Sequence, residues 1–377
     1  MTVSRPSILL VSPVVPALTG NGLAMRAGMT LRALAEQCQV SLLIVERYPS
    51  VTGKLAPGLR ALCERVDHVR HGPGLQEFLA EARRELEGEI DIVHFFRLST
   101  FAHTSHLRLA GAQIHLDLDD IESHSRPRIA EVLRLRGRDK EARIEEQMAA
   151  AAMGHEIAAL LSTDRVYVAS DLDRDRLPIC GTARIGILPN VVDIPPAQRL
   201  LHREQHRPFT FLFAGTLSYF PNEDGIQWFC EEVLPQLRSS AALPVRILVA
   251  GMAPAALRRL ATSTGVEMLG WVEDLEQVYH DADAVIVPLR AGGGTRIKFL
   301  EAAARLLPVV ATSIGAEGIA VEDQRECLIA DEPGAFAQAC LRLMDDSSLR
   351  AHLADRAFQV VESRYTIRAM IEALTPA

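Results

Sequence analysis

Residues 292–301 read Gly-Gly-Gly-Thr-Arg-Ile-Lys-Phe-Leu-Glu, and three kinds of chemistry meet in that short segment. Gly292, Gly293 and Gly294 let the backbone approach a ligand closely and adopt positive φ. Thr295 is the expected N-cap of a helix reaching Arg305. The free amides of a first helical turn favour an anion, and Arg296 and Lys298 add formal positive charge at the same place. A diphosphate fits such a site. Glu301, further along the helix, would repel phosphate. It suits two sugar hydroxyls instead, because a carboxylate accepts two hydrogen bonds and charged hydrogen bonds are the stronger kind. The order amides, cations, carboxylate thus matches the order diphosphate, ribose. For a Gly-rich loop alone, the simpler reading is a turn followed by exposed helix residues.

A second cluster is acidic. His115-Leu116-Asp117-Leu118-Asp119-Asp120-Ile121-Glu122 closes a strand, and carboxylates this close cannot all ionise comfortably unless solvated or paired. Asp117 and Asp119 have the DxD spacing of the haloacid dehalogenase nucleophile motif. However, Ile121 stands where Thr or Val is expected, and a short motif needs its context. A DxD metal site is disfavoured on the same ground, and no metal is expected. Asp119 or Asp120 as the N-cap of a following helix is the structural alternative. His94 ends another strand, ahead of Phe95-Phe96-Arg97. It reads either as half of a cleft-facing His-Arg pair or as a core histidine. Gly20-Asn21-Gly22, after the first strand, is a partial glycine motif that lacks GxGxxG; an ordinary strand-to-helix turn is the alternative.

These residues must be held by the elements around them. Ile8–Ser12, Val40–Val45, Val66–Val69, Ile92–Phe95, Ile114–Leu118, Arg165–Ala169 and Ile185–Leu188 are strand candidates in the first half. Phe209–Ala214, Val245–Ala250, Val266–Leu269, Ala284–Val287, Val309–Thr312 and Leu328–Ala330 follow in the second. Helical stretches fill the gaps, among them Leu23–Cys38, Asn222–Ser239 and Leu275–Asp281. Short apolar strands separated by helices imply crossover connections and parallel sheets covered on both faces. The polar, proline-marked segment 194–208 reads as an interdomain linker. The expected fold class is therefore α/β with two Rossmann-like domains, at 1–195 and 208–360. Residues 361–377 are a C-terminal helix that could cross back to the first domain.

Between Ser123 and Leu161 the chain is helical and, in its first part, densely charged. A solvated helical face is the main reading. A basic surface for an anionic acceptor or a membrane lipid, a peripheral membrane contact, is the alternative.

Composition narrows the classes. A chain of 377 residues exceeds one ordinary core, and 48% hydrophobic with 23% charged residues fits a globular protein. A net charge of −8 argues against a nucleic-acid partner. The six cysteines are scattered, with no CxxC pair or metal spacing. Neither a signal peptide nor a membrane-spanning run is apparent, so a cytoplasmic protein is expected.

The stretch from Gly292 to Gly318 resembles the donor-binding signature of GT-B glycosyltransferases, in particular the large retaining group called family 4. Phe211-Leu212-Phe213-Ala214-Gly215-Thr216-Leu217 resembles the first strand and turn of that family's C-terminal domain. Leu269-Gly270-Trp271-Val272 is similar to the segment near which the base packs, and Leu188-Pro189-Asn190-Val191-Val192-Asp193 to the run closing the N-terminal domain. The resemblance covers almost the whole chain. It implies two domains facing a central cleft and a retaining glycosyltransferase of hexosyl type. The co-substrate would be a nucleoside diphosphate sugar, with no separate cofactor and an unidentified acceptor. It implies donor contacts from Gly215, Thr216, Gly292 to Arg296, Lys298 and Glu301, and an approach of the Gly20-Asn21-Gly22 loop to diphosphate and acceptor.

There are two departures. The family's first glutamate, eight positions before Glu301, is Gly293 here, and Ser218 to Asp224 contains no cation. Arg296 and Lys298 are expected to take over the diphosphate. The family's histidine falls at Asp119, which is expected to orient or deprotonate the acceptor beside His94. A nucleotide-sugar hydrolase or epimerase, or a non-catalytic partner subunit, remains the alternative on the same fold.

Overall fold

The computed structural model describes residues 5–47, 53–178, 180–196 and 208–374. The chain divides into two units. One holds Met1–Ser125, Glu146–Val191 and Ile367–Ala377; the other holds Arg126–Glu145 and Val192–Thr366.

In the first unit, β1 (Ser7–Ser12), β2 (Gln39–Glu46), β3 (Cys63–Arg70), β4 (Ile92–Phe96), β5 (Gln113–Asp117), β6 (Arg165–Val168) and β7 (Arg184–Ile187) form one sheet in the order β3-β2-β1-β4-β5-β6-β7. All its pairings are parallel. Leu9, Leu10 and Val11 of β1 are each buried, as are Ile92, Val93 and Phe95 of β4. Such strands show continuous apolar runs because both sheet faces are covered. The strand order reverses between β1 and β4. In open α/β sheets that reversal, at the carboxyl ends of the strands, is where ligands bind. The segments entering there are the Gly20 loop and Arg97.

Helix Gly22–Ala35 packs on the last helix, Ile367–Leu374, in the same unit. Met370 is fully buried there, and Gln37 Nε2 donates to the Ile371 carbonyl at 2.7 Å.

In the second unit, β8 (Phe209–Ala214), β9 (Val245–Ala250), β10 (Glu267–Gly270), β11 (Ala284–Val287), β12 (Val309–Ala311) and β13 (Leu328–Ile329) run β10-β9-β8-β11-β12-β13, again parallel. The reversal lies between β8 and β11. Gly215 follows β8, and the Gly-rich loop follows β11. The helix expected at 222–239 spans Phe220–Ser240 with a π turn at Phe229–Val233. Pro235 accounts for the widening, since it donates no hydrogen bond and its ring crowds the carbonyl one turn back.

The charged stretch after Ser123 forms two helices, Glu122–Leu135 and Asp139–Ser162. Residues 126–145 belong to the second unit, not to the 1–195 block expected from sequence. Arg126 pairs with Glu145 at 2.7 Å, and Arg128 Nη1 reaches both Glu317 oxygens at 2.8 and 3.0 Å. Arg136 binds Asp224 and Glu231, each at 2.7 Å. Arg138 lies 4.9 Å from the Phe220 ring centroid. Ile129, Ala130, Val132, Leu133 and Ala142 pack with Ala291 and Phe220. One face of the segment is therefore docked, and Arg126, Arg128, Arg136 and Arg138 are engaged within the second unit. Of the expected linker, residues 197–207 lie outside the described residues. No described helix is long and apolar enough to cross a membrane.

Truncating Met370 to Ala empties a fully buried site in the first unit. The expected loss is about 2–5 kcal/mol of unfolding free energy, measured by urea denaturation followed by far-UV circular dichroism. An unchanged midpoint would contradict the packing described.

Candidate functional site

The second unit places Lys298 at its sheet reversal. Lys298 Nζ lies 4.1 Å from the Phe213 ring centroid, over the end of β8. It donates to Asn222 Oδ1 at 2.6 Å. Asn222 is buried, and its Nδ2 donates to the Thr216 carbonyl at 2.9 Å. That bond leaves its oxygen for the ammonium. A side chain at Gly215 would put a Cβ 2.9 Å from Lys298 Nζ, so only glycine leaves the amine its place. Burial, aided by the nearby Arg296 guanidinium, pushes the Lys298 ammonium down to about 7. Thr216 itself is exposed.

The Gly-rich loop is shaped by Arg296. Gly292 and Gly294 take φ of 113° and 66°, a region that favours glycine. The Arg296 side chain is buried and turned back on the loop. Its Nη1 donates to the Gly294 carbonyl at 2.8 Å and also to that of Gly293, and its Nε donates to Ile314 at 3.1 Å. Arg296 thus braces the loop carbonyls, and of the two expected diphosphate cations Lys298 is the one directed away from them. The helix begins at Ile297 with Arg296 in the N-cap position and no side-chain cap. Thr295 is therefore not the N-cap; its Oγ1 is buried with no hydrogen-bond partner among the described residues.

Glu301 is half-buried on this helix, and its Oε2 accepts from the Tyr279 hydroxyl at 3.1 Å. Burial raises the carboxyl above its ordinary range against the opposing pull of Arg305. Sequence reasoning missed Asn222, Phe213 and Tyr279. The loop before Asn222 was read for cations, whereas its contribution is an amide.

The first unit assembles a different cluster at its own reversal. Arg26 is fully buried and holds Asp117 bidentately, Nε to Oδ2 at 2.8 Å and Nη2 to Oδ1 at 2.7 Å. Nη2 also donates to the Leu188 carbonyl at 3.0 Å. With both oxygens held, Asp117 is a structural counter-ion, which removes the dehalogenase-type nucleophile reading. Asp119 lies 3.4 Å from Arg26 Nε and 3.1 Å from Arg97 Nη1, and accepts from Asn190 Nδ2 at 3.3 Å. Arg97 also reaches Glu122 at 3.2 Å. Asp119 and Arg97 both have positive φ, 61° and 76°. Strained backbone of this kind persists where its surroundings over-determine it, and it concentrates at functional sites. The Arg97 amide donates to the Asp117 carbonyl at 2.8 Å and supplies part of that restraint. Asp120 accepts from Ser125 Oγ at 2.9 Å, and burial pushes its carboxyl up to about 6.

Asn21 is the N-cap of helix Gly22–Ala35 and accepts from the Ala24 amide at 2.9 Å. Gly22 is the first residue of that helix, and Gly20 supplies the turn before it with φ 105°.

His94 is not cleft-facing. It is 0% exposed and lies beside His115 in the β4–β5 register. Its ring centroid is 5.7 Å from that of Tyr167, and neither ring nitrogen has a hydrogen-bond partner among the described residues. It is a core histidine; of the expected His-Arg pair, only Arg97 reaches the acidic cluster.

Comparison with known proteins places this geometry. Residues 208–346 match the family described as glycosyl transferases group 1. An uncharacterized 44.6 kDa protein in the cps region of Klebsiella pneumoniae is 23% identical over 172 residues, 43% of this chain and 44% of that protein. D-inositol 3-phosphate glycosyltransferase of Corynebacterium urealyticum is 32% identical over 132 residues, 31% of each chain. The matches thus span less than half the length of either relative. Sucrose-phosphate synthase of Thermosynechococcus elongatus superposes with a TM-score of 0.71 at 16% identity, over 98% of this chain and 97% of its own. Anabaena HepE, in complex with UDP and glucose, gives 0.70 at 16% identity over 97% of both chains. These structural likenesses establish the fold.

The buried histidines set a pH dependence. Burial pushes His94 down to about 3 and His115 to about 4, from an ordinary 6.5. The unfolded chain therefore binds more protons in that window, and stability rises with pH across it. Their contribution is complete above about pH 6.5 and is lost progressively as the pH falls toward the folded values. His94→Phe should flatten this loss in urea melts between pH 4 and 7, with stability at pH 7.5 kept within about 1 kcal/mol, because no hydrogen bond is removed. A steeper loss of stability on acidification in the variant would contradict the assignment.

Proposed function

We propose that the protein transfers a sugar from a nucleoside diphosphate sugar to an acceptor, a reading that starts from the match of residues 208–346 to the glycosyl transferases of group 1 and from the GT-B fold of the chain. The observation that carries this reading is the placement of the Lys298 ammonium, set over the Phe213 ring and bound to Asn222. It sits at the β8/β11 reversal, and the Thr295 hydroxyl in the preceding loop has no hydrogen-bond partner among the described residues. A cation in such a place gains most from an anion that arrives with its own charge. The donor diphosphate is that anion, in line with the UDP bound by HepE.

As the sugar leaves, charge develops on the diphosphate. Lys298 and the backbone amides near the start of helix Ile297–Ala304 stabilise it electrostatically, usually a large catalytic term. Arg296 keeps the loop in shape. Glu301, oriented by Tyr279, accepts hydrogen bonds from ribose hydroxyls. Trp271, 49% exposed after β10, offers a face for the base. Transfer proceeds with retention and without a metal, the protein cations meeting the leaving-group charge. In the first unit, Asp119 and Arg97 serve the acceptor side, with Asp119 orienting the acceptor hydroxyl.

A thermal-shift screen of UDP-, GDP- and dTDP-sugars identifies the base, since a ligand stabilises what it binds. With that donor, Lys298→Ala should lower transfer by at least two orders of magnitude; unchanged turnover would overturn the donor-site assignment. The sign of the pH effect follows from the lysine. Diphosphate binding favours the protonated amine, so affinity should fall by up to tenfold per pH unit above about 7. Lys298→Met should bind more weakly and lose that slope. Calorimetric titration from pH 6 to 9 measures both.

A further inference from the structure

Asp224 is 1% exposed and sits in the first turns of the helix Phe220–Trp228. It is held from two sides. Arg290 grips it bidentately, Nε to Oδ2 at 2.9 Å and Nη2 to Oδ1 at 2.7 Å. Arg136 Nε also reaches Oδ1, at 2.7 Å, and Arg136 Nη1 continues to Glu231 Oε2 at 2.7 Å. Asp224 and Glu231 are seven residues apart, two helical turns, so they share one face. Arg290 leads directly into Ala291 and Gly292. Ala291 is itself fully buried, against the apolar residues of segment 126–145. The Gly-rich loop, whose glycines impose little conformational restraint of their own, thus has its root fixed twice: by charge at Arg290 and by packing at Ala291.

We propose that Asp224 and Arg136 are positioning residues that hold the root of the Gly-rich loop in its ligand-ready shape. The segment 126–145, remote in sequence, is thereby a structural part of the donor site. Neither residue touches the ligand. Both act through Arg290, and the loop loses its set conformation when the link is cut. This inference rests on residues 292–301 being the donor site.

The test is hydrogen–deuterium exchange on the ligand-free full chain, paired with UDP titration. Asp224→Asn and Arg136→Gln should each raise exchange in peptides covering 289–298 at least tenfold, with peptides of β1, β4 and β5 unchanged. Arg136→Lys, which keeps the charge, should recover part of that protection. UDP affinity should fall at least tenfold in the Asn and Gln variants. Should Asp224→Asn not fold, the half-buried Arg136→Gln carries the test alone. Wild-type exchange at 289–298 in a folded Arg136→Gln variant would overturn the proposal. If loop exchange rises while wild-type protein binds neither UDP nor the other nucleotide sugars, the positioning role stands and the donor-site reading beneath it fails.

Discussion

The ammonium of half-buried Lys298 is partly withdrawn from water and set over the Phe213 ring, with the Asn222 amide oxygen as its hydrogen-bond partner among the described residues. Desolvation of this kind is unfavourable for a cation, and it lowers the amine toward neutrality. The carboxyl end of the second sheet is arranged around that constraint. Gly215 leaves the space, Asn222 sets the direction, and Arg296 is turned into its own loop. The cost is offset when an anion fills the site, which is why a diphosphate is the natural complement on the proposed reading.

Both units use the same topological device for different electrostatics. Each sheet reverses its strand order next to its first strand, and the segments leaving the carboxyl ends there carry the polar groups. In the second unit the result is a cation with little countercharge. In the first it is a closed network, Arg26, Asp117, Asp119, Arg97 and Glu122, built on two residues of positive φ. Breaking the buried Arg26–Asp117 pair from one side would leave an uncompensated charge, a change that commonly costs about 3–5 kcal/mol. That network forms a platform, and on the proposed reading Asp119 and Arg97 serve its acceptor side.

The strands were largely legible in the sequence, because parallel strands buried on both faces appear as uninterrupted apolar runs. Phe209–Ala214, Val245–Ala250 and Ala284–Val287 occur in the structure with the expected bounds. The same property hid His94: when both faces are covered, one histidine in an apolar run says nothing about which way it points. The Gly-rich segment was legible as a motif, but the division of labour inside it was not. Arg296 and Lys298 are equally cationic in a sequence, and only the carbonyls of Gly294 and Ile314 separate their roles. Asn222 and Asp224 were obscure for another reason. Their partners lie 76 and 88 positions away, at Lys298 and Arg136. Dense charge in 126–145 revealed that partners were needed, without revealing that the second unit supplied them.

The most direct measurement is a crystal structure of the protein with the nucleoside diphosphate that binds it. The account predicts the diphosphate in front of the 292–297 segment, with a phosphate oxygen within hydrogen-bond reach of Lys298 Nζ and ribose hydroxyls on Glu301. A diphosphate bound elsewhere, with Lys298 still held only by Asn222, would contradict it.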